Sequence, residues 1–349
     1  MAWATGFDRR EALDLLHLCA ITENGVTAPI PPNPPAGWTC LFTSPVIDPF
    51  DNLWQLWRRD ADGVFAIAIR GTVFQPGSIA EDALALMIEA KGTLKMGPFT
   101  QSYAFAADPQ ASVHLGFAVA TLLVAELPTS GILDVMRRNN IGANAQVFIT
   151  GHSQGAAMAT LLRSYLQYGQ DAPAGVAYKS YVYAQPKPGN DHYAADFESR
   201  FSNPGLGFRV TNSLDWVPQV PFTLEFLGDI NEPNPLSVLT RPEFMLRIAS
   251  ALHLKAVEKI VDEFGHLIVG RETRRVRPAL LKLATAKAIP ATASDTIDMP
   301  LMISFNYLNA GTNFALMGNP CVGAQCADQF FEHHATTYYG LLAPPRGAV

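Results

Sequence analysis

The chain is poor in charge. Asp, Glu, Lys and Arg make up 16% of its 349 residues, against 48% hydrophobic residues. That balance excludes an intrinsically disordered chain and describes a compact, folded one. The charge that is present leans acidic, with a formal net charge of −6 and a pI near 5.7. A general nucleic-acid binder, which needs a basic face, is excluded on that ground. Cysteine is scarce: Cys19, Cys40, Cys321 and Cys326 are the whole set. The absence of C-x2-C and of paired Cys/His spacing argues against a zinc site. An even count permits two disulfides, and Cys321 with Cys326 would close a small loop; free thiols are the alternative, and spacing does not decide. Long apolar runs are also missing. The longest, Leu115 to Ala125, is too short to cross a bilayer. The N-terminus lacks a basic stretch followed by an apolar core, which leaves a cytoplasmic protein or a mature secreted form open. No internal repeat or low-complexity tract is visible.

Short apolar runs alternate with helical patterns. Residues 1–20 pattern as an amphipathic helix, followed by a Pro-rich loop from Ala28 to Gly37. Strands are predicted at Trp54–Arg58, Val64–Ile69, Gln146–Thr150, Tyr181–Ala184 and Phe208–Thr211. Helices are predicted over Phe117–Val135 and Ala156–Tyr168, with a short one from Ile79 to Ala90 in an otherwise irregular stretch over 73–112. Strands alternating with helices predict an α/β layer fold with a mostly parallel sheet. Such sheets place their sites at the carboxyl ends of strands. From about Phe222 the pattern changes to helices at Pro242–Leu254 and Ala256–Phe264, then a run over Arg271–Lys287 with six basic residues and one acidic. This reads as a helical insertion. The basic run suits a solvated face of packed helices better than a contact with an anionic surface.

Gly151-His152-Ser153-Gln154-Gly155 sits between the Gln146–Thr150 strand and the helix from Ala156. Chance supplies such a G-x-S-x-G match about 0.1 times in a chain of this composition. The strand–turn–helix setting is what raises it to a nucleophile elbow, a tight turn that lifts the serine hydroxyl above the sheet edge. A serine needs a histidine base, and the histidine needs a carboxylate. Asp215 is the candidate acid, directly after the apolar Phe208–Thr211 strand and held by Pro218 and Pro221. The order Ser, acid, His excludes His17, His114 and His152. His192 lies too close to the elbow helix, His253 falls within a predicted helix, and His266 falls just beyond one. His333 and His334 remain, in a loop before a final helix. One oxyanion donor would be the backbone N–H of Gln154; the other would be Thr72, in the Arg70-Gly71-Thr72 turn that ends the Val64–Ile69 strand.

These segments together resemble the class 3 lipases, the fungal-type lipase family that also includes feruloyl esterases. The resemblance runs from about Trp54 to Pro221 and resumes near the C-terminus. Besides the elbow it rests on Arg70-Gly71-Thr72, Val113-His114-Leu115-Gly116-Phe117, Pro186-Lys187-Pro188-Gly189-Asn190 and Asn212 to Pro221. It implies an α/β-hydrolase fold in a single domain over 1–349, with a lid region at about 73–112 and the helical insertion at about 222–300. By the resemblance Ser153 is the nucleophile, Asp215 the triad acid, and Thr72 with Gln154 the oxyanion donors, while His114 is structural. Gln154 stands where relatives commonly carry leucine, and about 119 residues separate Asp215 from the histidine pair. Relatives place the histidine three residues before Tyr-Phe-Gly. Here that position, before Tyr338-Tyr339-Gly340, is Ala335. One inserted residue selects His334, a different register His333, and the expectation is His334.

The reading is a serine carboxylic ester hydrolase, in the first place a lipase on acylglycerols working through an acyl-enzyme, with no metal or organic cofactor. A phospholipase, a feruloyl esterase and a polyester esterase are alternatives on the same fold. A non-catalytic lipid-binding module is the reading from another class. The expected partners are an ester or lipid substrate and, through the lid or the insertion, a transient contact with a lipid interface.

Overall fold

A computed structural model describes residues 4–70, 86–169, 171–221, 223, 269–302 and 306–343. Thr72, most of the expected lid helix and the expected helices over 242–264 lie outside the described residues.

The centre is a seven-stranded sheet in the order β1-β2-β3-β8-β9-β11-β15. Its strands are β1 (Trp38–Thr43), β2 (Leu53–Arg59), β3 (Phe65–Arg70), β8 (Gln146–His152), β9 (Ala177–Tyr183), β11 (Gly207–Asn212) and β15 (Thr312–Leu316). The first three pair antiparallel, and from β3 onward every neighbour is parallel. A parallel sheet has both faces covered, so its strands are apolar on both sides. Along β3 and β8, Ile67, Ile69, Val147 and Ile149 join one core cluster, while the alternating Ala66, Ala68 and Phe148 join the other. Tyr181 and Tyr183 of β9 continue the second face.

Helices complete the two outer layers. On the first face lie α2 (Leu115–Glu126), α3 (Ile132–Arg138) and α4 (Gln154–Tyr168). Residues 115–125 are buried all round, which is why this helix reads as one long apolar run: it is a core helix between layers. Pro128 and the loop before Ile132 split the expected single helix over 117–135 into α2 and α3. On the second face lie α1 (Arg9–Thr22) and the C-terminal α7 (Ala335–Leu342), packed on each other, with α1 over β3 and β8 and α7 against β15. Asp8 caps α1 by accepting from the N–H groups of Arg10 and Glu11. No helix among the described residues is long and apolar enough to cross a membrane.

One sequence expectation is corrected for the segment before β7. Residues 87–104 are neither irregular nor helical. They hold β4 (Met87–Glu89), β5 (Lys91–Met96) and β6 (Phe99–Ala104), followed by β7 (Ser112–His114). Met87 and Ile88, expected on the apolar face of a lid helix, are fully buried in β4. These strands form two small antiparallel sheets with β10 (Gly189–Asn190), which precedes α5 (Asp191–Phe197), and with β12 (Ile297–Asp298), β13 (Leu301–Met302) and β14 (Tyr307–Leu308). Strands β1 and β15, which the sequence reading does not predict, carry no clean period-2 pattern, because as edge strands they leave much of their length exposed.

The basic run does form a helix, α6, over residues 269–286. Val276, Ala279, Leu280, Leu283 and Ala284 bury one stripe at helical spacing against the first core cluster. Lys287, just beyond it, donates to Gln101 Oε1 at 2.8 Å and Glu126 Oε2 at 2.9 Å. The packed-helix reading of this run therefore describes it.

One buried charge ties α1 to the sheet. Lys179 of β9 is 1% exposed and its Nζ lies 2.7 Å from Glu11 Oε2, which also accepts from the Tyr181 hydroxyl at 2.8 Å. Deleting one partner of a buried pair leaves the other charge uncompensated. Glu11→Ala is expected to cost about 3 kcal/mol in urea unfolding, and Glu11→Gln with Lys179→Met to recover most of that loss. Equal stabilities for Glu11→Ala and wild type would show that the pair contributes nothing.

Candidate active site

The site is assembled at the carboxyl ends of β8 and β11 and completed by the turn before α7. Ser153 follows β8 with φ 57° and ψ −132°, a combination that a residue with a side chain adopts only under constraint. The constraint is visible. The Ser153 N–H donates to the Tyr183 carbonyl at 3.0 Å, and its carbonyl accepts from Ala156 N–H at 2.9 Å. The turn is tight enough that a Cβ on Gly151 would fall on the backbone of Gly155. The elbow glycine is thus required by the close approach of strand and helix. Gln154 is buried and opens α4, with its backbone N–H one residue beyond Ser153 at the helix N-terminus.

Asp215 is 2% exposed, in the loop after β11. Its Oδ1 accepts from Val217 N–H at 3.0 Å. Its Oδ2 accepts from the Tyr338 hydroxyl at 2.7 Å and from His333 Nδ1 at 2.9 Å. The other ring nitrogen, His333 Nε2, lies 2.8 Å from Ser153 Oγ. With Asp215 accepting at Nδ1, that nitrogen carries the proton and Nε2 is the acceptor for the serine hydroxyl. Burial pulls the His333 pKa below its ordinary value, and the hydrogen bond and charge of Asp215 oppose that fall. Burial pushes the Tyr338 hydroxyl far above its ordinary value, as does the Asp215 charge, so it stays a donor.

The expectation of His334 is corrected. His334 is exposed and its Nε2 bonds Asp328 Oδ2 at 2.7 Å, away from Ser153 and Asp215. The reason is local. Residues 331–333 form one 3-10 turn, after which His334 becomes the N-cap of α7. That turn points adjacent side chains in opposite directions, and the inward one is His333. Motif counting back from Tyr338 could not see the turn.

The loop carrying His333 is held from several sides. Asn212 Nδ2 donates to the Glu332 carbonyl at 2.9 Å and to Glu332 Oε2 at 2.8 Å. Trp216 Nε1 donates to the Gln329 carbonyl at 3.0 Å. Cys321 and Cys326 form a disulfide upstream in the same loop, while Cys19 and Cys40 are free. His114 has the structural role expected of it: its Nδ1 accepts from Phe117 N–H at 3.3 Å and caps α2. Asn190 does the same for α5 through Tyr193 N–H and also accepts from Ser112 N–H. Sequence reasoning missed Tyr338, Glu23 and any use for His152. The aromatic pair before Gly340 was a signal for the first; nothing in the sequence links Glu23 to the elbow.

A buried hydrogen-bonded Ser-His-Asp chain above a parallel sheet, with the serine on a strained strand-to-helix turn, defines an α/β-hydrolase. Residues 66–225 match the Lipase (class 3) family model, so that segment is similar to this family. Among similar curated proteins is the secreted mono- and diacylglycerol lipase LIP4 of Malassezia restricta. It is 39% identical over 75 residues, which cover 22% of this chain and 23% of the relative. The secreted mono- and diacylglycerol lipase A of Penicillium camembertii is 34% identical over 108 residues, 31% of this chain and 32% of the relative. The chain thus spans only about a quarter to a third of the length of these relatives. Among solved structures, Lip2 lipase from Yarrowia lipolytica superposes with a TM-score of 0.45 at 20% identity, covering 63% of this chain and 77% of that one.

The elbow generates a stability prediction. Gly151→Ala forces backbone apart in a packed core, so it is expected to cost at least about 3 kcal/mol, read as a large drop in thermal midpoint or loss of soluble protein. A variant as stable as wild type would show that the turn has room.

Proposed function

We propose that this protein is a serine carboxylic ester hydrolase acting on acylglycerols. The observation that carries the proposal is the unbroken chain from Ser153 Oγ through the His333 ring to Asp215, with contacts of 2.8 and 2.9 Å. In this reading Ser153 attacks the ester carbonyl as His333 Nε2 takes its proton. A tetrahedral adduct forms, and the C–O bond to the alcohol breaks as the same proton passes to the leaving oxygen. Water, deprotonated by His333, then releases the acid and restores Ser153. Asp215 keeps the ring in the tautomer that leaves Nε2 free to accept, and Val217 N–H and Tyr338 hold the carboxylate oriented. The backbone N–H of Gln154 is the proposed first oxyanion donor, and Thr72, outside the described residues, the second. The acylglycerol substrate rests on the family match and on the names of the similar fungal lipases.

A fluorophosphonate probe should label the wild-type chain at Ser153 and leave Ser153→Ala unlabelled; a folded wild-type protein that resists labelling would sink the proposal. Ser153→Ala and His333→Ala should each lose about 10⁴-fold or more in kcat, whereas His334→Ala should stay within a few-fold. On an acyl-chain series, emulsified glycerides should be hydrolysed; rates confined to short soluble esters would replace lipase with esterase.

The pH profile is a separate test. A protonated His333 cannot accept the serine proton, so activity rises as the ring deprotonates. Its pKa is lowered by burial, so the acidic limb of kcat/KM is expected below the ordinary histidine value of about 6.5. A midpoint above that value would contradict the burial argument.

A further inference from the structure

The residue before Ser153 is a buried histidine whose two ring nitrogens both face acceptors. His152 Nδ1 lies 3.2 Å from Glu23 Oε1, and its Nε2 lies 2.8 Å from the backbone carbonyl of His333. A neutral imidazole has a single N–H, so it can satisfy only one of these contacts. Both are satisfied together when the ring is an imidazolium, with the Glu23 carboxylate as its counter-charge. The His152 and His333 rings lie 4.9 Å apart between centroids.

We infer that His152, held as a cation by Glu23, is a positioning residue that clamps the His333 carbonyl and keeps the His333 ring neutral. The inference rests on the hydrolase reading for its functional meaning. A fixed cation beside a second imidazole disfavours a second positive charge there. The clamp also fixes the backbone of the one residue whose ring must meet Ser153 and Asp215 at once. This extends the active range toward acid, at some cost in the basicity of His333.

The groups around His152 support this balance. Glu23 faces it from the end of α1, Asp215 from the loop after β11, and His333 from the turn before α7. Glu332 belongs to the same turn, where its carboxylate is engaged by Asn212. Tyr338 of α7 presents its ring edge at 5.9 Å. On the neighbouring strands Arg70 and Tyr183 occupy the paired positions; the Arg70 guanidinium donates to the Asp51 carbonyl at 2.8 Å and the Tyr183 hydroxyl to the Ala12 carbonyl. The two rings move in opposite directions. For His152, burial works against the charged form, but the Glu23 charge and hydrogen bond, the His333 carbonyl and the Asp215 charge together outweigh it, and the pKa is raised. For His333, burial dominates, the His152 charge adds to it, and the pKa is lowered despite Asp215.

The test follows the His333 ring directly by NMR titration in the full chain, which needs no turnover. In His152→Gln the amide can still donate to the carbonyl but the cation is gone and Glu23 is left uncompensated. Both changes raise the His333 pKa, by about one unit, and the acidic limb of kcat/KM should move with it. Adding Glu23→Gln should return the titration toward wild type. His152→Ala, which also removes the donor, should lower plateau kcat about tenfold with little change in KM, and His152→Gln should recover most of that loss. An unmoved His333 titration in His152→Gln, or a loss equal at every pH, would overturn the inference in favour of packing alone. If the wild-type chain resists fluorophosphonate, the hydrolase proposal fails while the NMR titration still decides this one.

Discussion

The hydrogen bond from His333 to Asp215 joins residues 118 positions apart, and most of the molecule around the site serves to keep that contact in register. Asp215 reaches its place because β11 is the strand beside β9 in the parallel part of the sheet. His333 reaches its place because α7 docks on α1 and the second face of the same sheet, burying Ala335, Tyr338 and Leu342. Tyr338 then does two things with one hydroxyl: it accepts from Asn212 N–H at the end of β11 and donates to Asp215. The last strand residue before the acid loop and the last helix are thereby fixed to each other. Three donors thus satisfy a carboxylate that is removed from water, and a buried polar group without partners is costly.

The same logic explains why the chain tolerates a long stretch between Asp215 and His333. Loop-closure cost rises only slowly with length. What matters is that the chain returns in register, and β15 supplies that return by pairing along β11 from Phe208 to Asn212. From there the disulfide, the Trp216 bond to the Gln329 carbonyl and the Asn212 bonds to Glu332 hold the final loop before it turns into α7. Within this stretch α6 is anchored as well, through its buried stripe and the Lys287 contacts with Gln101 and Glu126.

Much of this was legible in the sequence, and the limits are physical. The parallel strands β3 and β8 were readable because burial on both faces demands near-continuous apolar runs, whereas β9 and β11 were readable only as short segments, because Lys179 and Ser180 interrupt the first and Arg209 and Thr211 the second. The elbow was readable because close strand–helix approach demands glycine at 151. Asp215 was readable because it follows a buried strand and is fenced by prolines. The strands of residues 87–104 were not, because their alternation is mixed with polar positions: β5 and β6 each expose a face. The choice between His333 and His334 depends on a single 3-10 turn, and side-chain direction across such a turn is set by the packing of α7 and not by local composition.

The N-terminal helix shows how far the site extends beyond the matched segment, which begins at residue 66. Helix α1 covers Phe148, Tyr181 and Tyr183, buries Lys179 against Glu11, and ends at Glu23 beside His152. The same element thus supplies apolar cover, a buried ion pair and a carboxylate behind the elbow. Burial alone would drive both His152 and His333 toward neutrality. A carboxylate on each makes the outcome a contest, and the geometry separates the two rings. His152 has acceptors on both nitrogens and no donor, so its charged form is the one that is solvated by protein. His333 has an acceptor on one side and a hydroxyl on the other, so its neutral form already satisfies both nitrogens. Two buried histidines in contact are therefore assigned different charge states by what hydrogen-bonds to them, and the neutral one is the one that meets the serine.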